Sequence, residues 1–326
     1  MKLHKNKELL QDAILATAEH LEMREIYVEK DYWVTLALHE IFNSDVASQA
    51  VFKGGTALSK CHKLIERFSE DIDMVVLREE GENDNQLKRK IRKISKVVEK
   101  EIPEIEVEGL TNKRGNIRKT VHQYSKLFDG DFGQVREHVV LEATWLGNFE
   151  PYSEMQVSSY IYEMMTARGQ EDMIKQYAMT PFTIQVLSTL RTFCEKIMSL
   201  VRFSRSEDPV KDLRNKIRHV YDLHQMLQDA KIQRFFEGQE FDEMLVKVGN
   251  DDMIGYKNNN EWLKEHPATA LIFKQPKDVW EKLSPEYNGN FKDLVTGKLP
   301  EEKALIGTLE KIEDRLKKVE WGLKEI

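Results

Sequence analysis

Two aspartates one residue apart, Asp71 and Asp73, carry the strongest chemical signal in the sequence. They open residues 71–77, Asp-Ile-Asp-Met-Val-Val-Leu, which read as a β-strand. Side chains two residues apart on a strand share one face and start about 7 Å apart. Two such carboxylates can share one or two Mg²⁺ ions, since magnesium prefers hard oxygen ligands together with substrate phosphates. Mn²⁺ is the alternative metal for the same ligands.

A pair of glycines, Gly54 and Gly55, precedes this strand and follows the apolar residues 51–52. Glycine has no Cβ, so its backbone can turn sharply and approach a ligand closely. We expect Thr56 to be the N-cap of a helix that runs to about Phe68 with one apolar stripe. Because free N–H groups at the start of a helix attract phosphate, this turn is predicted to bind phosphate.

Taken separately, a glycine turn and a solvated strand face are ordinary features, but their order here resembles a known superfamily. Nucleotidyltransferases of that superfamily share the signature Gly-[Gly/Ser], a short helix and Asp-x-Asp. More narrowly, residues 52–60, FKGGTALSK, and 67–73, RFSEDID, resemble the AbiEii/AbiGii abortive-infection toxins of bacterial type IV toxin–antitoxin pairs. The resemblance implies transfer of a nucleotide from an NTP, with Asp71 and Asp73 as catalytic metal ligands. It also implies that Lys60 and Ser69 join the glycine turn in binding the NTP.

Three further segments extend the resemblance, and two of them contain candidate catalytic residues. Residues 29–32, EKDY, precede the glycine motif as they do in the family, and residues 191–196 and 218–223 match segments that contain a functional lysine and aspartate, here Lys196 and Asp222. Spacing alone favours a structural Lys196 whose stem lies along the core, and it does not separate a site role of Asp222 from a place on a polar helix face. The resemblance implies that Lys196 stabilises charge on the phosphates and that Asp222 orients Lys196 or the acceptor.

Glu142 is the candidate for a third metal ligand. It lies in residues 137–146, which alternate as a strand, and the superfamily usually places a third carboxylate on a strand after Asp-x-Asp. The alternative is a strand glutamate that faces water.

The order of helices and strands predicts an α+β protein. We expect a nucleotidyltransferase-like mixed β-sheet flanked by helices in residues 1–187. A mainly helical C-terminal domain, residues 188–326, is expected to complete the active-site cleft. The predicted helices cover residues 5–22, 29–42, 83–100, the stretch after Ser188 and 209–227; the predicted strands cover 71–77, 104–109, 117–125, 137–146 and 179–187.

Composition limits the partners and the compartment. A net charge of −7 argues against a polyanionic partner, but basic residues cluster at 88–96, at 113–119 and at 202–218, which permits contact with RNA. Cys61 and Cys194 lie in apolar helical patterns, so we expect core thiols and a reducing compartment. Neither a signal peptide nor an apolar run of about 20 residues is present, so a cytoplasmic protein without a membrane partner is expected.

The motifs indicate Mg²⁺-dependent nucleotide transfer, and the family resemblance implies that the protein is a nucleotidyltransferase toxin acting in phage defence. The resemblance implies an RNA acceptor, often the 3′ end of tRNA, so that translation and growth stop, and a cognate antitoxin as partner. Two alternatives stay open: nucleotide transfer onto a protein side chain, and a non-catalytic module that binds NTP or RNA. The intact pair of motifs argues against the second, because a scaffold has no physical use for aligned carboxylates beside a phosphate turn.

Overall fold

A computed structural model describes residues 1–113, 115–130, 133, 135–145, 150–256 and 259–323 of the chain. The chain divides into two compact units. The first comprises Met1–Cys61, Phe68–Trp145 and Tyr152–Leu187, and the second comprises His62–Arg67, Leu146–Pro151 and Ser188–Ile326.

The described residues of the first unit form a seven-stranded mixed sheet, in the order β3-β4-β5-β2-β1-β7-β6. Strand β2 lies in its middle, antiparallel to β1 and parallel to β5. The register places Asp73 opposite Lys53 on one side and opposite Glu142 on the other. The strands are β1 (Ala50–Lys53), β2 (Ile72–Val76), β3 (Glu104–Ile105), β4 (Ile117–His122), β5 (Val139–Thr144), β6 (Tyr152–Val157) and β7 (Phe182–Leu187).

Helices of the first unit cover this sheet with apolar faces. In α4, the residues Leu87, Ile91, Ile94 and Val98 recur every three or four positions and are buried, while its other face is exposed. Asn83 and Gln86 form a capping box at its start. The helices are α1 (Lys7–Leu21), α2 (Glu25–Phe42), α3 (Gly54–Lys60), α4 (Asp84–Glu99), α5 (Tyr160–Ala167) and α6 (Glu171–Gln176).

The second unit is helical in its described residues. Ser188 is the N-cap of the first of these helices, as predicted, and accepts a hydrogen bond from the N–H of Leu190. The predicted helix over 209–227 is in fact two helices, since the chain turns at residues 215–216. The helices are α7 (Thr189–Phe203), α8 (Pro209–Arg214), α9 (Ile217–Met226), α10 (Ala230–Glu237), α11 (Gln239–Gly255), α12 (Leu271–Lys274), α13 (Pro276–Glu286) and α14 (Glu302–Leu316).

The helix after the glycine pair is shorter than predicted. It ends at Lys60 and not near Phe68, and its N-cap is Lys53, so Thr56 is its third residue. Lys63 has a φ of 52°, a left-handed conformation that an α-helix does not accommodate.

Long-range pairing explains why residues 62–67 leave the helix. Arg67 forms an antiparallel bridge with Val295, and the carbonyl of Glu66 accepts a hydrogen bond of 2.9 Å from the N–H of Thr296. These backbone bonds within the second unit override the local apolar periodicity on which the longer helix was predicted.

The local sequence pattern also failed to predict the extent of one strand and the presence of another. The predicted strand over 104–109 stops after two residues, and Gly109 has a φ of 76° in the turn that follows. Strand β6 was not predicted, because it is largely polar and exposed.

Both cysteines are buried, as predicted. No described helix has the length and hydropathy that crossing a bilayer requires.

Candidate active site

Asp73 lies in a concentration of negative charge in the middle of the sheet. Burial, together with the charges of Glu142 and Asp71, raises the pKa of Asp73 to about 7. Glu142 is its parallel neighbour in the register, and Asp71 immediately precedes β2. A position where burial and neighbouring carboxylates resist ionisation is one that a divalent cation would stabilise.

Gly54 is in direct contact with this carboxylate. Its φ is 81°, and a Cβ placed on it would lie 2.3 Å from Oδ2 of Asp73. Any side chain here would therefore be strained by the backbone conformation and would collide with the aspartate. The close approach brings the glycine turn and the aspartate strand, which the sequence presents 19 residues apart, into one site.

The other predicted phosphate-binding residues have different surroundings. The hydroxyl of Thr56 lies 3.0 Å from that of Ser69, so the structure brings these two together. Lys60 is buried, and its ammonium forms an ion pair with Asp31. The same ammonium lies 5.2 Å from the ring centroid of Tyr160. This pair gives Lys60 a structural role in the present conformation, and its contact with phosphate stays a prediction.

Arg136 is a residue of this site that the sequence did not reveal. Its guanidinium forms an ion pair with Asp71, and both side chains are about one-third exposed (36% and 34%). The only sequence signal was its place in the segment just before the predicted strand over residues 137–146. Residues 131, 132 and 134 of that segment lie outside the described residues.

Residues 29–31 of α2 are three consecutive buried ionisable residues, and each anchors a different part of the unit. Glu29 accepts hydrogen bonds from the N–H groups of residues 127 and 128. Lys30 forms an ion pair of 3.0 Å with Glu70, and Asp31 pairs with Lys60. The EKDY segment thus has a definite structural function beyond apolar packing.

The carboxylates of Asp71, Asp73 and Glu142 are the kind of ligand that a hard divalent cation prefers. Asp71 and Asp73 supply hard oxygen donors, and the raised pKa of Asp73 indicates a local lack of positive charge. Glu142 is 35% exposed and lies 3.3 Å from the ammonium of Lys119. Within the described part of the chain, no three His, Cys, Asp or Glu side chains are already grouped as a metal site. The role of Glu142 as a third ligand stays a prediction.

The pKa of Asp73 predicts how stability depends on pH in the absence of metal. The folded-state pKa of about 7 exceeds the ordinary value of 3.8, so the protonated form favours folding. That contribution, on the order of 4 kcal/mol, is complete below about pH 4 and is lost as the pH rises through 7, with about 2–3 kcal/mol of it lost between pH 5 and pH 8. Urea unfolding with a chelator at pH 5 and at pH 8 measures it. Asp73→Asn should be less sensitive to this change, and an equal pH dependence of the two proteins would contradict the prediction.

In the second unit, Lys196 and Asp222 lie together. The ammonium of Lys196 donates a hydrogen bond of 2.7 Å to Oδ2 of Asp222, and Arg67 donates two, of 2.7 and 2.8 Å, to both carboxylate oxygens. The three side chains are at most 8% exposed. Burial would raise the pKa of Asp222, but Arg67 and Lys196 outweigh it and hold the pKa well below its usual range. Asp222 is therefore ionised at any physiological pH.

Arg67 falls inside the helix that the sequence predicts to run to about Phe68, and its role as the bidentate partner of Asp222 was missed. The one available signal was its position at the start of the RFSEDID motif. Lys196 and Asp222 were both predicted as site residues, with Asp222 orienting either Lys196 or the acceptor, and the structure brings the two side chains into direct contact.

Of the three basic clusters, the first presents charge most openly. On α4, Lys88, Arg89, Arg92 and Lys93 are exposed, and none forms an ion pair with another described residue. In the second cluster, the described residues Lys113, Arg118 and Lys119 pair with glutamates, and Arg114 lies outside the described part of the chain.

The third cluster is largely engaged within its own unit. Arg205 binds the carbonyls of Glu265 and His266, and Arg202 lies over the ring of Phe203. We refer below to the four exposed residues of α4 as the α4 patch.

Comparison with known proteins identifies relatives of the whole fold. The family model described as nucleotidyl transferase AbiEii toxin, type IV toxin–antitoxin system, matches residues 36–317. Among matching solved structures is MenT4, a nucleotidyltransferase toxin from Mycobacterium tuberculosis H37Rv, at 17% sequence identity and a TM-score of 0.57. The match covers 94% of this chain and 90% of that one. At this identity the likeness shows the fold alone, and it confirms the predicted fold class. None of the curated proteins compared with this chain matches it.

Proposed function

This chain belongs to the AbiEii family of nucleotidyltransferase toxins of type IV toxin–antitoxin systems, and we propose that its transfer site is built on Asp71, Asp73 and the turn at Gly54. Family membership makes the protein a nucleotidyltransferase toxin and implies a nucleotide substrate and an antitoxin partner. The contact between Gly54 and Asp73 supports the proposal best, because it brings the proposed phosphate-binding turn against one of the two proposed metal ligands.

Asp71 and Asp73 would hold Mg²⁺, or Mn²⁺ in its place, with Glu142 as a third ligand. Such an ion supplies neutralisation of the charge that develops on the phosphates during transfer. The raised pKa of Asp73 supports this assignment, since it reflects negative charge that a cation would balance.

The backbone at Gly54 and Gly55 and the hydroxyls of Thr56 and Ser69 would position the triphosphate. The 3.0 Å separation of the two hydroxyl oxygens supports a shared site for these groups. Positioning of this kind accounts for much of the catalysis of phosphoryl transfer.

Lys196 and Asp222 would take part in the same reaction. The ammonium of Lys196 would stabilise charge on the phosphates, and Asp222 would orient that ammonium. The direct hydrogen bond between them supports the orienting role, and the bidentate contact from Arg67 keeps Asp222 ionised.

The acceptor is proposed to be RNA, with the 3′ end of tRNA as the first candidate. The α4 patch supports an RNA acceptor, because its four cations have no ion-pair partner among the described residues and are exposed. The overall charge of −7 favours the alternative, a protein acceptor, since the average field repels nucleic acid.

One experiment tests the activity and separates the acceptors. The purified protein is incubated with Mg²⁺, with each α-labelled NTP in turn, and with total RNA or with total protein. Label that appears in small RNA supports the proposal, and label confined to protein supports the alternative. No label in either sample with any of the four NTPs would contradict the proposed transfer.

Binding of RNA by the α4 patch predicts a specific dependence on salt. Changing Lys88, Arg89, Arg92 and Lys93 to alanine should weaken binding of tRNA and reduce the slope of log K against log salt. If all four contact phosphate, the slope should change by about 3, because each contact releases counterions. Titration of tRNA at several potassium chloride concentrations, for the wild type and the variant, measures both effects.

The matched control for this variant removes the same charge elsewhere. Lys231, Lys274, Lys282 and Lys303 are four exposed lysines of the second unit, outside the basic clusters. Their alanine variant should keep the wild-type slope. Equal slopes for all three proteins would argue against RNA contact by the α4 patch and favour a protein acceptor.

A further inference from the structure

The main chain of Arg136 is anchored to the unit by two hydrogen bonds, separately from the ion pair that its side chain forms with Asp71. Its N–H donates a hydrogen bond of 2.7 Å to Oε1 of Glu70, and its carbonyl accepts one of 2.6 Å from the ammonium of Lys30. Lys30 also donates to the carbonyl of His138. These contacts fix the segment before β5 from within the unit.

The anchor itself is a buried ion pair. Lys30 and Glu70 are 0% and 2% exposed, and their charged groups are 3.0 Å apart. Burial lowers the pKa of Lys30 and raises that of Glu70, and in each case the partner's charge opposes the shift. Two ions this deeply buried are costly to desolvate, so their presence calls for a reason beyond packing. What they achieve here is a fixed backbone position for Arg136.

The guanidinium that this anchor positions is partly exposed and lies on Asp71. It therefore occupies the carboxylate that we propose as a metal ligand. An arginine fork can bind either a carboxylate or a phosphate through parallel N–H donors. Here Nη1 of Arg136 donates to Oδ1 of Asp71, and a phosphate oxygen is an acceptor of the same anionic kind.

We propose that Arg136 is a phosphate-binding residue of the NTP site, held on Asp71 while metal and nucleotide are absent. Once Asp71 serves as a metal ligand, the guanidinium loses that partner and binds phosphate oxygens of the NTP instead. The inference rests on the proposed function, since it requires both the metal role of Asp71 and an NTP beside it.

The proposal predicts two effects of opposite sign from one substitution. Arg136→Gln should bind metal about fivefold more tightly in the absence of NTP, because one partly exposed ion pair no longer has to be broken. The same variant should show a KM for NTP about 10- to 100-fold higher, because charge-assisted hydrogen bonds to phosphate are lost. The fold should be retained, since the segment is anchored by backbone atoms.

Two measurements test this on the protein of residues 1–326. Titration with Mn²⁺ alone, followed by electron paramagnetic resonance, gives the metal affinity without any reaction. Steady-state transfer with the preferred NTP gives KM and kcat. Arg136→Lys is the second variant: it keeps the charge, so metal affinity should stay near the wild-type value, but it loses the fork, so KM should still rise.

Arg78→Gln is the matched control. Arg78 lies just beyond the opposite end of β2, forms an exposed pair with Asp84 at 3.7 Å, and its loss changes the net charge equally. Both affinities of this variant should equal those of the wild type.

Each other outcome counts against a defined part of the argument. Tighter Mn²⁺ binding with an unchanged KM would mean that Arg136 only neutralises Asp71, and would overturn the phosphate-binding role. Equal Mn²⁺ affinity in wild type and Arg136→Gln, or failure of both Arg136 variants to fold, would overturn the inference while leaving the proposed function intact. Absence of Mn²⁺ binding by the wild type would overturn the metal site itself and this inference with it.

Discussion

Asp73→Asn should reduce nucleotide transfer by about a thousandfold or more, and Asp71→Asn should do the same. Each substitution removes the charge of a proposed metal ligand without changing the size of the side chain. A metal ion contributes several kcal/mol of charge stabilisation in the transition state, and about 4 kcal/mol corresponds to a thousandfold. Transfer of labelled NTP with Mg²⁺ present, together with growth of cells expressing each variant, measures the loss.

The fold should survive this change and in one respect gain from it. Because burial, Glu142 and Asp71 all resist ionisation of Asp73, a neutral asparagine relieves repulsion in the metal-free protein. The melting temperature of Asp73→Asn at pH 8 with a chelator should therefore equal or exceed that of the wild type. Asp45→Asn, which removes an exposed carboxylate of the same unit, is the control and should keep full transfer. Wild-type transfer by either metal-site variant would end the catalytic interpretation of this strand.

The parts of the fold that the sequence predicted are those specified by local pattern. Strand β2 and helices α4 and α7 have apolar residues at the period of their own element, and α7 also has its N-cap at Ser188. Residues 62–67 continue the helical period of α3, but Glu66 and Arg67 pair with residues 295–297, more than 200 positions away. No window of local sequence contains that information, so the helix was predicted too long.

The residues of the candidate site likewise fall into those that local motifs identified and those that they did not. Gly54, Asp73, Lys196 and Asp222 stand in short motifs whose spacing or family resemblance singles them out. Arg67 meets Asp222 across 155 residues and Arg136 meets Asp71 across 65. Arginines at such distances are indistinguishable in sequence from surface charge.

Lys60 shows the converse limit of sequence reasoning. A lysine that follows a glycine turn by a few residues is a natural candidate for binding phosphate. The structure, however, gives its ammonium a buried partner, Asp31, on the preceding helix. Residue type and spacing predicted that Lys60 binds phosphate, which stays a prediction. They could not show that its ammonium pairs with Asp31.

Lys196→Met should lower transfer by about 100- to 1,000-fold while costing only about 1–2 kcal/mol of stability. Methionine preserves the apolar stem of the lysine and removes the ammonium, whose loss from a preorganised site has an effect of that size on the rate. Stability should be largely kept, because Asp222 retains both hydrogen bonds from Arg67 and so remains a paired buried charge. The measurements are kcat/KM for NTP and the free energy of unfolding in urea.

Two further variants separate catalysis from structure in this prediction. Asp222→Asn removes the carboxylate that pairs with the buried cations Arg67 and Lys196, so it should cost about 3–5 kcal/mol of stability as well as activity. Lys90→Met removes another buried lysine, one that pairs with Glu82 at 2.7 Å in the first unit, and should cost similar stability to Lys196→Met without loss of transfer. If Lys196→Met retained wild-type transfer while losing as much stability as Lys90→Met, Lys196 would be a structural partner of Asp222 and not a catalytic residue.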